Sequence, residues 1–172
     1  EIAFVREKCS KLPELNPSWH KIYLLAAGAG LRASEIYQVK FEDLRTLNGQ
    51  HFLFLPFATK RQKLKGTNFT EKVGISDQVF NDLKAYENGN PSELIVGAIG
   101  NLQRVHKAFA RFLRDECGFT DNKPVHRLRK LLGARLATGP GLYHAARTLR
   151  NSITVCEKFY SDLVEHKNNF EV

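Results

Sequence analysis

The stretch Gly28-Ala-Gly-Leu-Arg-Ala-Ser-Glu35 decides how the rest of this chain is interpreted. Its first six residues fit G-x-G-x-x-A, a pattern that joins a strand to a helix and holds a pyrophosphate in dinucleotide-binding folds. That interpretation requires a second strand that ends in an acidic residue about twenty positions later. The chain has Leu47-Asn-Gly-Gln50 there, which predicts a turn. The dinucleotide-binding interpretation is therefore rejected.

The same stretch places an arginine where a glycine turn leads into a helix. Arg32 precedes a helix that the apolar spacing predicts over 33–39. Free N–H groups at a helix start and a guanidinium group both bind phosphate oxygens. Considered alone, Arg32 is better explained as a solvated arginine, or as one paired with Glu35. Its significance depends on what lies further along the chain.

Two later stretches supply the partners that phosphate chemistry needs. His126-Arg-Leu-Arg129 places a histidine and an arginine three residues apart, on one face of a predicted helix. Glu157-Lys-Phe-Tyr160 places a tyrosine in an amphipathic helix, where tyrosine is ordinarily a core or rim residue. Two guanidinium groups can hold one phosphate and stay charged, while a tyrosine hydroxyl attacks it. The order of these groups along the chain is the specific signal.

Taken in this order, the three stretches resemble the motif blocks of the tyrosine recombinases, the phage integrase superfamily. The resemblance implies that Arg32 and Arg129 bind the scissile phosphate and that His126 assists phosphate binding and proton movement. It implies that Tyr160 becomes joined to a 3′ phosphate of one DNA strand, which frees a 5′ hydroxyl. The resulting ester keeps the energy of the broken bond, so no cofactor is expected.

The family also uses a lysine, on the loop between the second and third strands of its sheet, to protonate the leaving oxygen. The matching basic loop here contains Lys60, Lys63 and Lys65. Lys60 follows the predicted strand most directly and is our choice, with Lys63 and Lys65 as DNA-binding residues. The alternative is that all three contact only the DNA backbone or water.

The chain departs from the family just before the nucleophile. The family usually reads Leu-Gly-His-Ser, whereas this chain reads Leu149-Arg-Asn-Ser152. Asn151 stands at the histidine position and Arg150 at the glycine position. Asparagine can donate a hydrogen bond but carries no charge. We therefore expect Asn151 to be a catalytic-site residue that weakens the activity.

Bulk properties agree with a nucleic-acid partner. The 172 residues suit one domain, and the net charge of +8 with a pI near 9.5 indicates a polyanionic partner such as DNA or RNA, with a merely solubilising surface as the alternative. The family resemblance implies that this partner is double-stranded DNA. The helix predicted over 102–117 is amphipathic and carries one line of cations. These four residues form the basic stripe, namely Arg104, Lys107, Arg111 and Arg114.

Several site classes are not expected. The three cysteines are scattered, and the six histidines show no ligand spacing, so neither a disulfide framework nor a metal site is predicted. No apolar run is long enough to span a membrane, and no signal peptide opens the sequence. The predicted location is the cytoplasm, in association with the nucleoid.

Local patterns predict a mainly α fold with one small antiparallel hairpin sheet (α+β), as in the tyrosine recombinase catalytic domain. Asn16 and Pro17 are typical of a helix start. The strands are predicted at 51–57 and 71–75. Further helices are predicted after Ser76 and over 102–117, 126–137, 142–150 and 154–166.

The predicted function is site-specific DNA recombination or integration through a 3′-phosphotyrosyl intermediate. The resemblance implies self-association on DNA as a tetramer. It also implies that residues 1–172 are a catalytic domain, and that the fragment lacks the N-terminal DNA-clamping domain of such enzymes. Two alternatives stay open: a DNA-binding protein of the same fold that has lost activity, and a type IB topoisomerase-like enzyme that relaxes DNA.

Overall fold

The structure, a computed structural model, describes residues 1–57, 70–97, 100 and 102–165, with the backbone alone for 161–165. Its α-helices are α1 (Ile2–Cys9), α2 (Leu12–Leu15), α3 (Pro17–Tyr23), α4 (Ala33–Ile36), α5 (Asp77–Lys84), α6 (Leu102–Cys117), α7 (Pro124–Thr138), α8 (Leu142–Thr148) and α9 (Ile153–Glu165). Its strands are β1 (Leu44–Leu47), β2 (Gln50–Leu55) and β3 (Glu71–Ile75). The predicted mainly helical fold with a small antiparallel sheet is confirmed.

The sheet has three strands in the order β1-β2-β3, and both pairings are antiparallel. Asn48 and Gly49 join β1 to β2 with φ angles of 51° and 73°, as a two-residue hairpin turn requires. The turn was predicted, but β1 was not. In that strand only Leu44 is buried, so no alternation marked it in the sequence.

One face of the sheet packs on the core. Leu53 and Leu55 of β2 and Val73 and Ile75 of β3 are buried there. Glu71 occupies the same inward face of β3 and is only 4% exposed. A carboxylate in this position requires a charged partner, because burying an unpaired charge costs several kcal/mol.

The helical segment before Arg32 starts at a capped residue, Asn16, and ends at a closely packed glycine, Gly28. The Asn16 side chain accepts a hydrogen bond of 3.1 Å from the Trp19 N–H, which confirms the predicted start of α3. The helix then continues as a π-helical turn, Leu24–Gly28, which the sequence did not indicate. Gly28 lies against α5, where a Cβ would come within 2.7 Å of a Val79 methyl.

Helix α4 ends at Ile36, earlier than the predicted position 39. Val39 is in an extended segment, and its carbonyl accepts a hydrogen bond of 3.0 Å from the Ile95 N–H. Lys40 forms an isolated β-bridge with Leu94. Pairing with a distant segment therefore overrides the helical spacing.

Among the described residues, the buried apolar side chains form two groups. The main core extends from α1 through the sheet to α6 and the first part of α7. The C-terminal cluster packs α7, α8 and α9 together through Leu132, Ala137, Ala145, Ala146, Leu149, Cys156 and Tyr160. Helix α7 belongs to both, since Val125 and Leu128 lie in the main core.

Candidate active site

Arg129 lies on α7 between the two groups of buried residues and is 3% exposed. Its guanidinium group donates to the carbonyl oxygens of Gly30 and Leu149 and to the Asn151 Oδ1 at 3.3 Å. Burial, followed by the charges of Arg32 and Arg150, lowers the pKa of Arg129 to about 9. The group is still protonated at neutral pH, so it presents a fixed positive charge.

Glycine is required at position 30 by both the backbone conformation and the neighbouring side chains. Its φ of +63° lies in the left-handed region that glycine adopts without strain. A Cβ there would come within 2.9 Å of a Leu149 methyl and 3.0 Å of a Leu132 methyl. This close approach lets the Gly30 carbonyl reach Arg129.

Arg32 stands immediately before α4, and its side chain is 21% exposed. Its Nη1 donates to Glu35 Oε1 at 3.0 Å, and its Nη2 donates to Asn151 Oδ1 at 3.2 Å. The Arg32 N–H also donates to Glu35 Oε2 at 2.8 Å. The sequence offered an ion pair with Glu35 as an alternative to a phosphate role for Arg32. The ion pair is present, and the same guanidinium group is also directed at Asn151.

Asn151 joins the two arginines. Its side-chain oxygen accepts hydrogen bonds from both Arg32 and Arg129, which come from distant parts of the chain. One acceptor oxygen between two guanidinium groups marks a point where both positive charges converge. Such a point can hold an oxygen of an anion.

His126 lies on α7, three residues before Arg129, and its side chain is exposed. Partial burial, followed by the positive charges of Arg129 and Lys130, lowers the pKa of His126. The imidazole is therefore neutral at pH 7, and it can exchange a proton beside the two arginines.

Tyr160 lies on α9 in the C-terminal cluster and is 7% exposed. Its hydroxyl packs against Gly133 of α7, where a Cβ would overlap the hydroxyl oxygen. Burial raises the pKa of Tyr160, against the opposing effects of Arg129 and Arg127. A nucleophilic role requires this hydroxyl to reach a phosphate, whereas here the residue is buried, although the tyrosine lies within the electrostatic influence of Arg129.

Arg150 shows why glycine is usual at its position. Its φ is +53°, and the Arg150 and Asn151 N–H groups bond the Arg147 and Ala146 carbonyls, which is the Schellman ending of α8. The left-handed conformation costs a non-glycine residue about 1–2 kcal/mol. The Arg150 side chain is 3% exposed and donates to Glu35 Oε2. Its Nε lies 3.6 Å from Glu71 Oε2.

Comparison with known proteins was informative at the level of structure only. No protein-family model matches the sequence, and no curated protein matches it. The structure is similar to that of the XerA recombinase, with a TM-score of 0.64 and 11% identity over 94% of this chain and 58% of that one. It is also similar to the XerH site-specific recombinase bound to palindromic difH substrate, with a TM-score of 0.66 and 15% identity over 96% of this chain and 50% of that one.

A third similar structure is a lambda integrase dimer bound to a COC′ core site, with a TM-score of 0.58 and 18% identity. That match covers 94% of this chain and 46% of the integrase. The chain has the tyrosine recombinase catalytic-domain fold. It spans about half the length of the solved structures that it matches. The fold class inferred from the sequence, and the fold that the family resemblance implied, are confirmed.

With β1 included, the lysine prediction concerns the part of the chain between the second strand, β2, and the third strand, β3. Lys60, Lys63 and Lys65 lie outside the described residues. Which lysine serves as general acid therefore stays a prediction.

The basic stripe lies on the outer face of α6, and all four of its side chains are exposed. Arg111 pairs with Asp115 at 3.3 Å, and Arg114 Nη2 donates to the Asn122 carbonyl at 3.4 Å. The opposite face of α6 buries Phe109 and Leu113 in the main core, as its amphipathic pattern predicted. DNA binding by the stripe stays a prediction.

Two ionic residues of the site were not recognised from the sequence, Glu71 and Arg150. The alternation of Glu71 with Val73 and Ile75 was a usable signal, because it places a carboxylate on the buried face of β3. Nothing local indicated that Arg150 is the cation beside it.

Across the described ranges, no three His, Cys, Asp or Glu side chains lie close enough together to hold a metal ion. In the same ranges, no helix has the length and apolar character needed to cross a membrane.

Proposed function

We propose that this chain is the catalytic part of an enzyme that cleaves and rejoins DNA strands through a 3′-phosphotyrosyl intermediate, in site-specific recombination or integration. The observation that carries the proposal is the convergence of Arg32 and Arg129 on the Asn151 Oδ1, at 3.2 and 3.3 Å. A non-bridging oxygen of the scissile phosphate would take the place of this amide oxygen. Both guanidinium groups would then oppose the charge that grows in the transition state.

In the proposed step, the Tyr160 oxygen attacks phosphorus and the bond from phosphorus to the 5′ oxygen breaks. The 5′ oxygen leaves as a hydroxyl after it accepts a proton from a general acid, for which Lys60 is our candidate. The neutral His126 beside the arginines accepts or relays the tyrosine proton. The reverse attack by a 5′ hydroxyl restores the DNA strand and the tyrosine.

Cleavage requires Tyr160 to leave its position against Gly133. The raised pKa of the buried Tyr160 hydroxyl opposes ionisation in that position. Near the arginines the phenolate is stabilised by positive charge. We therefore propose that α9 moves when DNA binds, and that this movement precedes the chemical step.

Double-stranded DNA is the proposed partner. The net charge of +8 and the exposed stripe of α6 support it, and the similar XerH and lambda integrase structures contain DNA. We propose that residues 1–172 work with a separate DNA-clamping domain and associate as a tetramer on DNA. The corresponding location would be the nucleoid.

A second candidate function is DNA binding by the same fold without cleavage. Two observations favour it: Asn151 replaces the family's histidine, and Tyr160 is buried. In this alternative, the Asn151 oxygen stays between the arginines and no tyrosine approaches the phosphate.

The decisive experiment is covalent trapping on a nicked suicide substrate. The wild-type chain is expected to form a protein–DNA adduct, whereas Tyr160→Phe, which lacks only the hydroxyl oxygen, is expected to form none while binding DNA normally. Tyr143→Phe is the matched control, because Tyr143 is 67% exposed and does not belong to the C-terminal cluster that contains Tyr160. An adduct that persists in Tyr160→Phe would contradict the assignment of the nucleophile.

Two further measurements separate the alternatives. Asn151→His is expected to speed cleavage if Asn151 weakens phosphate binding, and DNA binding without any adduct in either protein would support the non-cleaving alternative. Supercoil relaxation without strand exchange would instead support the topoisomerase-like activity.

A further inference from the structure

Arg32 and Arg129 form what we call the arginine pair. Each of the three successive residues after α8 contacts one or both of these arginines, either directly or through Glu35. The Leu149 carbonyl accepts from Arg129, and the Asn151 Oδ1 accepts from both Arg32 and Arg129. Between them, Arg150 bonds Glu35, which in turn holds Arg32 through a 3.0 Å ion pair. The geometry of both proposed phosphate ligands therefore depends on one short turn.

Arg150 anchors this turn from inside the protein. Its left-handed backbone aims the side chain inward, where Glu35 and Glu71 are 2% and 4% exposed. A glycine would adopt this φ more easily, yet it would leave two buried carboxylates without the arginine between them. The strained backbone is consistent with a side chain that has a role in the site.

The charge of Arg150 also affects Arg32. Glu35 accepts hydrogen bonds from Arg32 and Arg150 together, so its negative charge is shared between two guanidinium groups. Without Arg150, Glu35 would attract Arg32 alone, and Arg32 would be drawn from Asn151 toward the protein interior. Sharing the carboxylate keeps the Arg32 Nη2 directed at the Asn151 oxygen.

We propose that Arg150 is a positioning residue of the proposed cleavage site. Its ionic contacts with Glu35 and Glu71 fix the turn formed by residues 149–151, and it shares the Glu35 carboxylate with Arg32. As a result, Arg32 and Arg129 form one phosphate-binding pair. This role rests on the proposed function, because its consequence for rate requires a cleavage reaction. The arrangement of the two arginines, however, can be measured without any reaction.

The test compares Arg150→Gly and Arg150→Lys with the wild-type chain on the suicide substrate. Arg150→Gly is expected to slow adduct formation on the order of 10²-fold, because a misplacement of about 1 Å has that effect. DNA affinity should change little, since many cations share the binding. Arg150→Lys keeps the charge and is expected to recover part of the rate.

Asn48→Gly is the matched control for the backbone. Asn48 is the other described non-glycine residue with positive φ, at 51°, and it lies in the exposed β1-β2 turn. This variant relieves the same kind of strain away from the site and should leave the cleavage rate unchanged. A wild-type rate in Arg150→Gly would overturn the proposal.

The second readout is the ¹⁵N NMR spectrum of the arginine Nε–Hε groups. In Arg150→Gly, the signals of Arg32 and Arg129 are expected to shift and their protons to exchange faster with water. Unchanged signals would overturn the proposal. If the wild-type chain forms no adduct at all, the proposed function fails, while these spectra still decide whether Arg150 positions the pair.

Arg150→Gly risks unfolding, since it leaves Glu35 and Glu71 without Arg150. The double variant Arg150→Gly with Glu71→Gln removes one of these charges and is measured alongside. Should neither fold, Arg150→Lys decides. A slower reaction with altered Arg32 and Arg129 signals supports the proposal, and a wild-type rate and spectrum overturn it.

Discussion

The main core and the C-terminal cluster differ in the size of their buried side chains. The main core contains large buried side chains, such as Phe41 and Phe109, and joins helices to all three strands. The C-terminal cluster relies mostly on small residues, with alanines at 137, 145 and 146 and a cysteine at 156. Small side chains bury less apolar area, so each contributes less to stability.

The candidate site lies where these two regions meet. Arg32 and Glu35 come from the main-core side, whereas Asn151 and Tyr160 come from the C-terminal side. Arg129 bonds the Gly30 carbonyl on one side and the Leu149 carbonyl on the other. In the proposed mechanism, the phosphate-binding Arg32 belongs to the main-core side and Arg129 is held from both sides, whereas the proposed nucleophile Tyr160 lies in the cluster of smaller side chains.

Replacing Arg129, the residue that joins both regions, should have the largest effect. Arg129→Ala leaves the Gly30 and Leu149 carbonyls without this donor and leaves Asn151 Oδ1 with Arg32 alone, and each buried acceptor left unsatisfied costs about 1–3 kcal/mol. Cleavage should fall on the order of 10²–10³-fold, by analogy with lost oxyanion donors. Chemical denaturation and adduct kinetics measure the two losses. Equal losses of DNA affinity and cleavage rate would mean that Arg129 serves binding only.

Truncating one residue in each region tests the difference in stability directly. Leu25 is fully buried in the main core, and Leu25→Ala should lower the free energy of unfolding by about 2–5 kcal/mol. Cys156 is equally buried in the C-terminal cluster, but Cys156→Ala removes one atom and should cost about 1 kcal/mol. Urea unfolding of both variants gives the comparison. A larger loss in Cys156→Ala would mean that the C-terminal cluster dominates stability.

Gly133→Ala tests the contact that buries Tyr160, the proposed nucleophile. The added methyl group overlaps the Tyr160 hydroxyl, and overpacking of this kind costs about 1–3 kcal/mol. Hydrogen exchange of α9 should accelerate while the main core stays protected. In a Tyr160→Ala background the same change should cost less, because only the 2.7 Å approach to a Leu149 methyl group then remains. The same cost in both backgrounds would place the strain elsewhere.

The basic stripe tests whether the outer face of the main core binds DNA without taking part in the chemistry. Arg104→Ala with Lys107→Ala should reduce the slope of log affinity against log salt by about two units. The cleavage rate at saturating DNA should stay near that of the wild type. Lys8→Ala with Lys11→Ala changes the charge equally and controls for a general electrostatic effect. An unchanged slope would mean that the basic stripe is a solvated surface that does not contact DNA.

The smallest expected effect is a pH dependence of main-core stability. Burial lowers the pKa of His20, whose Nδ1 lies 2.8 Å from the Tyr86 hydroxyl. The unfolded chain therefore takes up this proton more readily, and stability is fully present above the unfolded value of 6.5 and falls as the pH drops below it. His20→Gln should flatten the decline between pH 7 and 5 by at most about 1.4 kcal/mol per pH unit. An unaltered decline would assign it to other groups.

Several features were predictable because they depend on neighbours in sequence. The start of α3 at Asn16, the turn at Asn48 and Gly49, and the amphipathic α6 follow from capping, turn chemistry and periodicity. The order of Arg32, His126, Arg129 and Tyr160 likewise indicated the fold, because the spacing of these residues is a property of the chain itself.

Tertiary structure alone decided the rest. Helix α4 ends early because Val39 pairs with Ile95, and Tyr160 is buried because α9 packs on Gly133. Arg150 becomes part of the site because its left-handed turn brings it to Glu35 and Glu71, which come from two other elements. Local preferences cannot encode such contacts, since their energies arise only when residues far apart in the chain are buried together and must satisfy one another's charge and shape.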